Sequence, residues 1–193
     1  MKDEILDGGR RLDDNGVLMP WYTSECLQWL EALDLLDKRV FEYGIGDSTL
    51  WYDSRGAFTR GVESNKEWHD HVINKLCRCD MQPTGQCSCG LGRSFVLTED
   101  ETTYLSAVHG RLYDIIVIDG LYRDRCFENA IEHINIGGYI ILDNWKQQEV
   151  EPDWPITEEY LDRQQRLGRR FIKDVKIYKD VNHKFWQTLV VSI

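Results

Sequence analysis

An acid, two glycines and a second acid mark where this chain could do chemistry. Residues Arg39 to Ser48 read R-V-F-E-Y-G-I-G-D-S, and Glu63 closes the next short apolar run, twenty-one positions after Glu42. An apolar run that ends in a glycine-rich turn and then a helix start is the sequence form of a nucleotide-binding β-turn-α unit. Gly44 and Gly46 carry no Cβ, so they allow a tight turn and let a ligand lie against the backbone. An acid about 20 residues further on, at the end of a second strand, is placed to accept hydrogen bonds from both ribose hydroxyls of an adenosine. A dinucleotide fingerprint wants a third glycine where Thr49 stands, which argues against an NAD-dependent oxidoreductase. The pattern here is acid-x-Gly-x-Gly.

A second constellation comprises Asp119, Asp143 and Asn144, each at the end of a strongly apolar run. In an open parallel sheet the carboxyl ends of the strands form the ligand crevice. Three hard oxygen ligands converging there suit Mg²⁺ or another small divalent cation. The same residues could instead position a ligand with no metal. His183, in a loop before the last apolar run, could serve as a general base near neutral pH, or be a surface histidine in a hairpin turn. His69, His71, His109 and His133 fall in or beside helices and are expected to be structural or exposed. Cys77, Cys79, Cys87 and Cys89 place four thiols within thirteen residues. That density points to a structural Zn²⁺ tetrahedron, with reduced thiols or disulfides as the other readings. Cys26 and Cys126 fit helix core positions.

The elements that must carry these residues follow from periodicity. Thr23 or Ser24 can cap a helix with Cys26, Leu27, Leu30, Leu33 and Leu36 on one side. Arg39 to Tyr43 reads as the first strand, Ser48 as the next helix start, and Gly61 to Glu63 as the end of the second strand. Ser64-Asn65-Lys66-Glu67 reads as a capping box, opening a helix to about Leu76. Ser94 to Thr98 and Arg111 to Asp119 read as strands, and Arg125 to Ile134 as a helix burying Phe127, Ala130, Ile131 and Ile134. After Asn144 a polar stretch precedes a helix near Thr157 to Leu167, and strands at Phe171 to Tyr178 and Phe185 to Ser192 close the chain. Alternating strands and helices argue for a parallel sheet covered on both faces, with an antiparallel terminal hairpin. The working organisation is one domain, residues 1–193, with a helical N-terminal segment 1–37 and a cysteine-rich insertion 77–92.

Composition narrows the partners. Forty-two per cent hydrophobic and eleven per cent aromatic residues suit a folded globule. A net charge of −10 disfavours a protein that embraces DNA or another polyanion. Arg163, Arg166, Arg169 and Arg170 could form a basic patch, but a solvated helix face is the simpler reading. No apolar stretch approaches a membrane span, and no signal-peptide core opens the chain, so a cytoplasmic protein is expected. A homo-oligomer is compatible with all of this.

The acid-x-Gly-x-Gly turn resembles motif I of the class I S-adenosylmethionine-dependent methyltransferases. Tyr113 to Gly120 (Y-D-I-I-V-I-D-G) resembles the family's fourth strand, Ile136 to Asn144 its Gly-Gly turn and fifth strand, and Phe185 to Ile193 its seventh strand. The resemblance spans roughly residues 20 to 193. It implies a three-layer Rossmann-like α/β fold with a mostly parallel seven-stranded sheet of order 3-2-1-4-5-7-6, its last strand antiparallel. It implies S-adenosylmethionine (SAM) as cofactor, with Glu42 attracting the amino end, Gly44, Gly46 and Ser48 along the methionine chain, and Glu63 and Ser64 at the ribose. Asp100, with Glu99, falls in the loop that commonly contacts adenine, and Asp119 lies beside the cofactor. Met19-Pro20-Trp21-Tyr22-Thr23 could fold over the methionine end or line an acceptor pocket, or simply pack. The Asp119, Asp143 and Asn144 pattern is similar to the metal site of the catechol and caffeoyl-CoA O-methyltransferases. That group has a lysine base where this chain has Tyr122, which makes Tyr122, Asp119 and His183 the candidate catalytic residues. Asp119-Gly120-Leu121-Tyr122 departs from the Asn/Asp-Pro-Pro-aromatic element of amino-directed DNA methyltransferases. The implied activity is methyl transfer to a small molecule, with a hydroxyl-bearing acceptor favoured. A non-catalytic protein-binding module on the same fold is the alternative.

Overall fold

A computed structural model describes residues 5–6, 10–12, 16, 18–76, 94–146, 154–167, 172–179 and 187–193. Three short strands come first: β1 (Ile5–Leu6), β2 (Arg10–Leu12) and β3 (Leu18–Met19), which form a small antiparallel sheet. Then follow α1 (Ser24–Glu31), β4 (Arg39–Tyr43), α2 (Asp47–Ser54), β5 (Phe58–Glu63), α3 (Lys66–Leu76), β6 (Ser94–Leu97), α4 (Glu101–Ser106), β7 (Tyr113–Ile118), α5 (Arg123–His133), β8 (Ile134–Leu142), α6 (Pro155–Leu167), β9 (Asp174–Lys179) and β10 (Gln187–Ser192).

The main sheet has the order β6-β5-β4-β7-β8-β10-β9. Strands β4 to β8 pair in parallel, and β10 runs antiparallel to both β8 and β9. This is the expected 3-2-1-4-5-7-6 arrangement. Residues of alternate parity point to opposite faces of each strand. Phe41, Ile116, Ile118, Ile140, Leu142 and Val191 therefore pack on one face with Phe127 and Ala130 of α5. Val40, Ile115, Val117, Ile141 and Val190 pack on the other with Leu27 and Leu30 of α1 and Trp51 of α2. Burial on both sides explains why β7 and β8 read as unbroken apolar runs rather than alternating ones.

Two helix starts are capped in trans or off by one. Asn65, rather than Ser64, caps α3: its Oδ1 accepts from the backbone N–H of Glu67 at 2.8 Å and of Trp68 at 3.2 Å. Asp124, buried in the first turn of α5, caps α6 by accepting from the N–H groups of Ile156 and Thr157, each at 2.8 Å.

Several elements differ from the sequence expectation. Segment 1–37 is not simply helical, since β1 to β3 precede α1. Helix α1 ends at Glu31, which leaves Leu36 exposed at 63% and buries Leu35 instead. The short helix α4 was hidden in a six-residue stretch with only Tyr104 and Leu105 to bury. The cysteine insertion, Cys77, Cys79, Cys87 and Cys89, lies outside the described residues, as does His183.

Candidate active site

The sheet itself lines up the functional residues. The backbone ladder continues past the strand ends: Thr98 N–H donates to Glu63 O at 2.9 Å, Gly44 N–H to Val62 O at 2.9 Å, Asp119 N–H to Tyr43 O at 2.9 Å, and Asp143 N–H to Ile118 O at 3.1 Å. Glu63, Gly44, Asp119 and Asp143 thus stand side by side along the carboxyl edge. The strand order reverses between β4 and β7, where open α/β sheets bind ligands. A cleft of about 380 Å³ opens there, lined by Trp21, Tyr22, Gly44 to Ser48, Glu63, Ser64, Trp68 and Asp119 to Leu121.

The turn after β4 needs glycine at one end more than the other. Gly44 has φ +91°, and a Cβ on it would meet Gly120 N at 2.6 Å, so the turns after β4 and β7 touch backbone to backbone. Gly46 is merely extended, and a Cβ there would rest 3.7 Å from the Trp68 ring. Its bareness keeps the cleft open rather than permitting the backbone conformation.

Below this turn lies Glu42, fully buried on the α1 and α2 side of β4. Thr49 links it to the turn: Gly46 N–H donates to Thr49 Oγ1 at 3.1 Å, and that hydroxyl donates to Glu42 Oε2. Thr49 therefore ties down the acid in the place where a dinucleotide site has its third glycine. Burial pushes the Glu42 carboxyl up to about 8, while Thr49 and the nearby Ser48 hydroxyl oppose the shift. No hydrogen bond of normal geometry reaches Glu42 Oε1 among the described residues. Tyr22 and Tyr52, also fully buried, have their phenols pushed well above the usual value, chiefly by burial and with a contribution from the Glu42 charge.

Glu63 is buried at the floor of the cleft, and its Oε1 accepts from Ser64 N–H at 2.8 Å and Asn65 N–H at 2.7 Å. Burial raises its carboxyl, and these backbone donors oppose the rise. Ser48 and Ser64 line the cleft. Asp100 does not. Its carboxylate caps α4, accepting from Thr103 N–H at 2.8 Å and Thr103 Oγ1 at 2.7 Å. Glu99 lines an adjoining hollow with Leu97, Thr98 and the shared Ser64.

Trp21 and Tyr22 are among the residues that line the cleft. Arg11 of β2 fixes them there, donating from Nη1 to Tyr22 O at 2.8 Å. The opposite wall is Trp68 of α3, 42% exposed, with the His71 ring edge-on to it. His71 Nε2 lies 2.8 Å from the buried Asp47 Oδ1. Neither Trp68 nor the Asp47 and His71 pair was apparent from the sequence. An i, i+3 pairing of Trp68 and His71 was the available signal.

At the ends of β7 and β8 the arrangement departs from the expected cation centre. Arg123 is buried, and its guanidinium occupies the space between the three oxygen-bearing residues. Nε donates to Gly120 O at 3.0 Å, Nη1 to Asp143 O at 2.7 Å and Asn144 Oδ1 at 2.9 Å, and Nη2 to Asp119 O at 3.1 Å. Nη2 also pairs with Asp119 Oδ1 at 3.0 Å. The Asp143 carboxylate points away, accepting from Thr188 Oγ1 at 2.9 Å. Burial, then the charge of Asp119, pushes Asp143 up to about 8. Burial raises Asp119 as well, with Arg123 opposing, and its side chain remains 31% exposed into the cleft. Asp119, Asp143 and Asn144 therefore do not fit a Mg²⁺ centre as they stand. Among the described residues, no group of three or more His, Cys, Asp or Glu could hold a metal ion. Tyr122 also departs from expectation: it has φ +52°, and its ring packs edge-on against Tyr104 in the core rather than lining the cleft.

Solved methyltransferases share this architecture. The O-methyltransferase TomG from Streptomyces achromogenes, involved in tomaymycin synthesis and solved with SAM, matches 82% of this chain and 74% of its own at 14% identity and a TM-score of 0.54. The N-methyltransferase NodS from Bradyrhizobium japonicum WM9 matches 87% of this chain and 94% of its own at 11% identity and a TM-score of 0.58. An rRNA methylase from Streptococcus thermophilus matches 84% and 89% at 11% identity and a TM-score of 0.52. No protein-family model and no curated protein matches the sequence. The chain thus has the class I SAM-dependent methyltransferase fold, and a fold hosts many acceptors.

Proposed function

We propose that this chain is a SAM-dependent methyltransferase, a single domain acting on a small molecule with a hydroxyl as the favoured acceptor group. One observation carries the reading: Gly44, Gly46, Glu63 and Asp119 face a single cleft above a buried acid, Glu42, whose Oε1 receives no hydrogen bond of normal geometry among the described residues. A buried acceptor without a donor is costly unless a ligand supplies one. When bound, SAM would supply a methyl carbon on a sulfonium: the acceptor nucleophile would bond to that carbon as the carbon–sulfur bond breaks, the thioether S-adenosylhomocysteine leaving with the electron pair.

The chain's own residues hold and orient. Glu42 Oε1 would accept from the cofactor's ammonium group. Glu63 would hold the ribose through Oε2, its Oε1 being engaged by the loop. The hollow at Thr98 and Glu99 would take the adenine. Trp21 and Tyr22 would exclude water, and the cleft would keep donor and acceptor in line. Asp119 is the cleft carboxylate available to take the acceptor's proton, with His183 a second candidate. A net charge of −10 disfavours RNA or DNA as acceptor; among the described residues no lysine or arginine lines the cleft itself, and Lys66 lines the adjoining hollow. Metal assistance forms no part of this reading, because Arg123 engages the Asp119 and Asn144 side chains and the Asp143 carboxylate turns away to Thr188.

Calorimetric titration of SAM, beside NAD, into wild type and Glu63→Ala tests it. SAM binding that weakens in the variant, with no NAD binding, supports the enzyme. Absence of SAM binding by folded protein would sink it and favour the protein-binding module.

A further inference from the structure

Five oxygens converge on one side chain at the mouth of the cleft: Gly120 O, Asp119 O, Asp119 Oδ1, Asp143 O and Asn144 Oδ1 all contact the Arg123 guanidinium at 2.7–3.1 Å. All five are hard donors of the kind that would surround a small divalent ion. A guanidinium is always charged, and its planar fork satisfies several acceptors at once. Two flanking residues, Tyr122 and Asn144, adopt left-handed backbone at φ +52° and +54°, and Lys146 follows at +56°. Such conformations cost free energy in non-glycine residues and persist where the surroundings over-determine them, most often at functional sites. Here the surroundings are this cage.

We propose that Arg123 is a built-in cation. It is a positioning residue that takes the place of a divalent ion, clamps the ends of β7 and β8 together, and holds the Asp119 carboxylate toward the cleft. Methyl transfer by this chain is then independent of added metal. The proposal rests on the methyltransferase reading for that last statement only. The cage and its cation are tested without turnover.

Arg123→Ala vacates the cage. The variant should melt about 10 °C lower than wild type. It should also gain Mn²⁺ binding, visible as quenching of the free-ion electron paramagnetic resonance signal, where wild type at the same concentration shows none. Millimolar methylguanidine should return part of the lost melting temperature, an effect that generic loss of packing does not give. Adding Asn144→Ala to Arg123→Ala should abolish the gained Mn²⁺ site. The idea is overturned if the variant folds but neither Mn²⁺ nor methylguanidine affects it. A wild-type measurement stands even if Arg123→Ala fails to fold. Mn²⁺ bound by wild type and lost in Asn144→Ala would show that a metal, not Arg123, fills the cage. No Mn²⁺ bound by wild type keeps the built-in cation. Failure of SAM to bind wild type would sink the methyltransferase reading while leaving these metal results interpretable.

Discussion

Two strand ends on the same edge of the sheet treat a buried carboxylate in opposite ways. After β4, Glu42 is buried beneath the glycine turn with the Thr49 and Ser48 hydroxyls for neighbours, and among the described residues no hydrogen bond of normal geometry reaches its Oε1. After β7, Asp119 is paired with Arg123, which also ties in the carbonyls of Gly120 and Asp143. Among the described residues the first site has no cation beside its acid, and the second contains one. On the proposed reading, the Glu42 end would take the ammonium group of the cofactor, whereas the Asp119 end is completed from within by Arg123.

The comparison breaks most sharply on stability. Arg123→Ala should cost about 3–5 kcal/mol, because it strands Asp119 and several buried carbonyls. Glu42→Gln should cost nothing and, at pH 8, should stabilise by about 1–2 kcal/mol. Urea denaturation of both variants measures the contrast, and equal losses would erase the distinction.

Ligand binding comes next. Glu63→Ala should weaken SAM about tenfold to hundredfold, the size expected for hydrogen bonds to a charged acceptor. Calorimetry reads this directly, and an unchanged affinity would remove Glu63 from the ribose role.

The Glu42 end carries a pH signature. Its folded value is about 8 against 4.5 for an unperturbed glutamate, so between these values the unfolded chain binds fewer protons than the folded one. Stability contributed by this group therefore falls as pH rises from about 4.5 to about 8, and is flat above. Asp143, also near 8, adds a fall of the same sign. Glu42→Gln should remove only its own share. A ligand ammonium favours the ionised acid, so SAM binding at pH 7 should release protons into the buffer. Calorimetry in buffers of different ionisation enthalpy detects that release, and its persistence in Glu42→Gln would point to another group.

A smaller effect concerns the cleft wall. Trp68→Ala should weaken SAM about threefold to tenfold with little change in melting temperature, since the ring is 42% exposed. Smallest of all, added Mg²⁺ or Mn²⁺ should leave SAM affinity and turnover unchanged, and an activity that needs the added ion would reverse the built-in cation proposal.

Much of this was legible in one dimension. Apolar runs marked β4 and β7 to within two residues and the end of β5, because a strand buried on both faces leaves a continuous apolar signal, while β8 was placed through the family resemblance. Glu42, Gly44, Glu63 and Asp119 were legible because each sits at the end of such a run. Helix α4 and strands β1 to β3 were not, being too short to carry a period. The cap of α3 fell on Asn65 rather than Ser64 because Ser64 is held by Glu63, a contact across the turn and not along the helix.

The sequence by itself determined the succession of strands, helices and turns along the chain, through local periodicity and glycine's freedom at Gly44; the order of the strands in the sheet came from the family resemblance. Only the tertiary structure decided what the acids at the strand ends meet. Tyr122 packs on Tyr104 while the neighbouring Arg123 enters the oxygen cage, and Thr49 bonds Glu42. Asp100 caps α4 instead of entering the cleft. Those outcomes depend on which groups from separate strands converge in one small volume, and a buried polar side chain takes the partner that geometry offers.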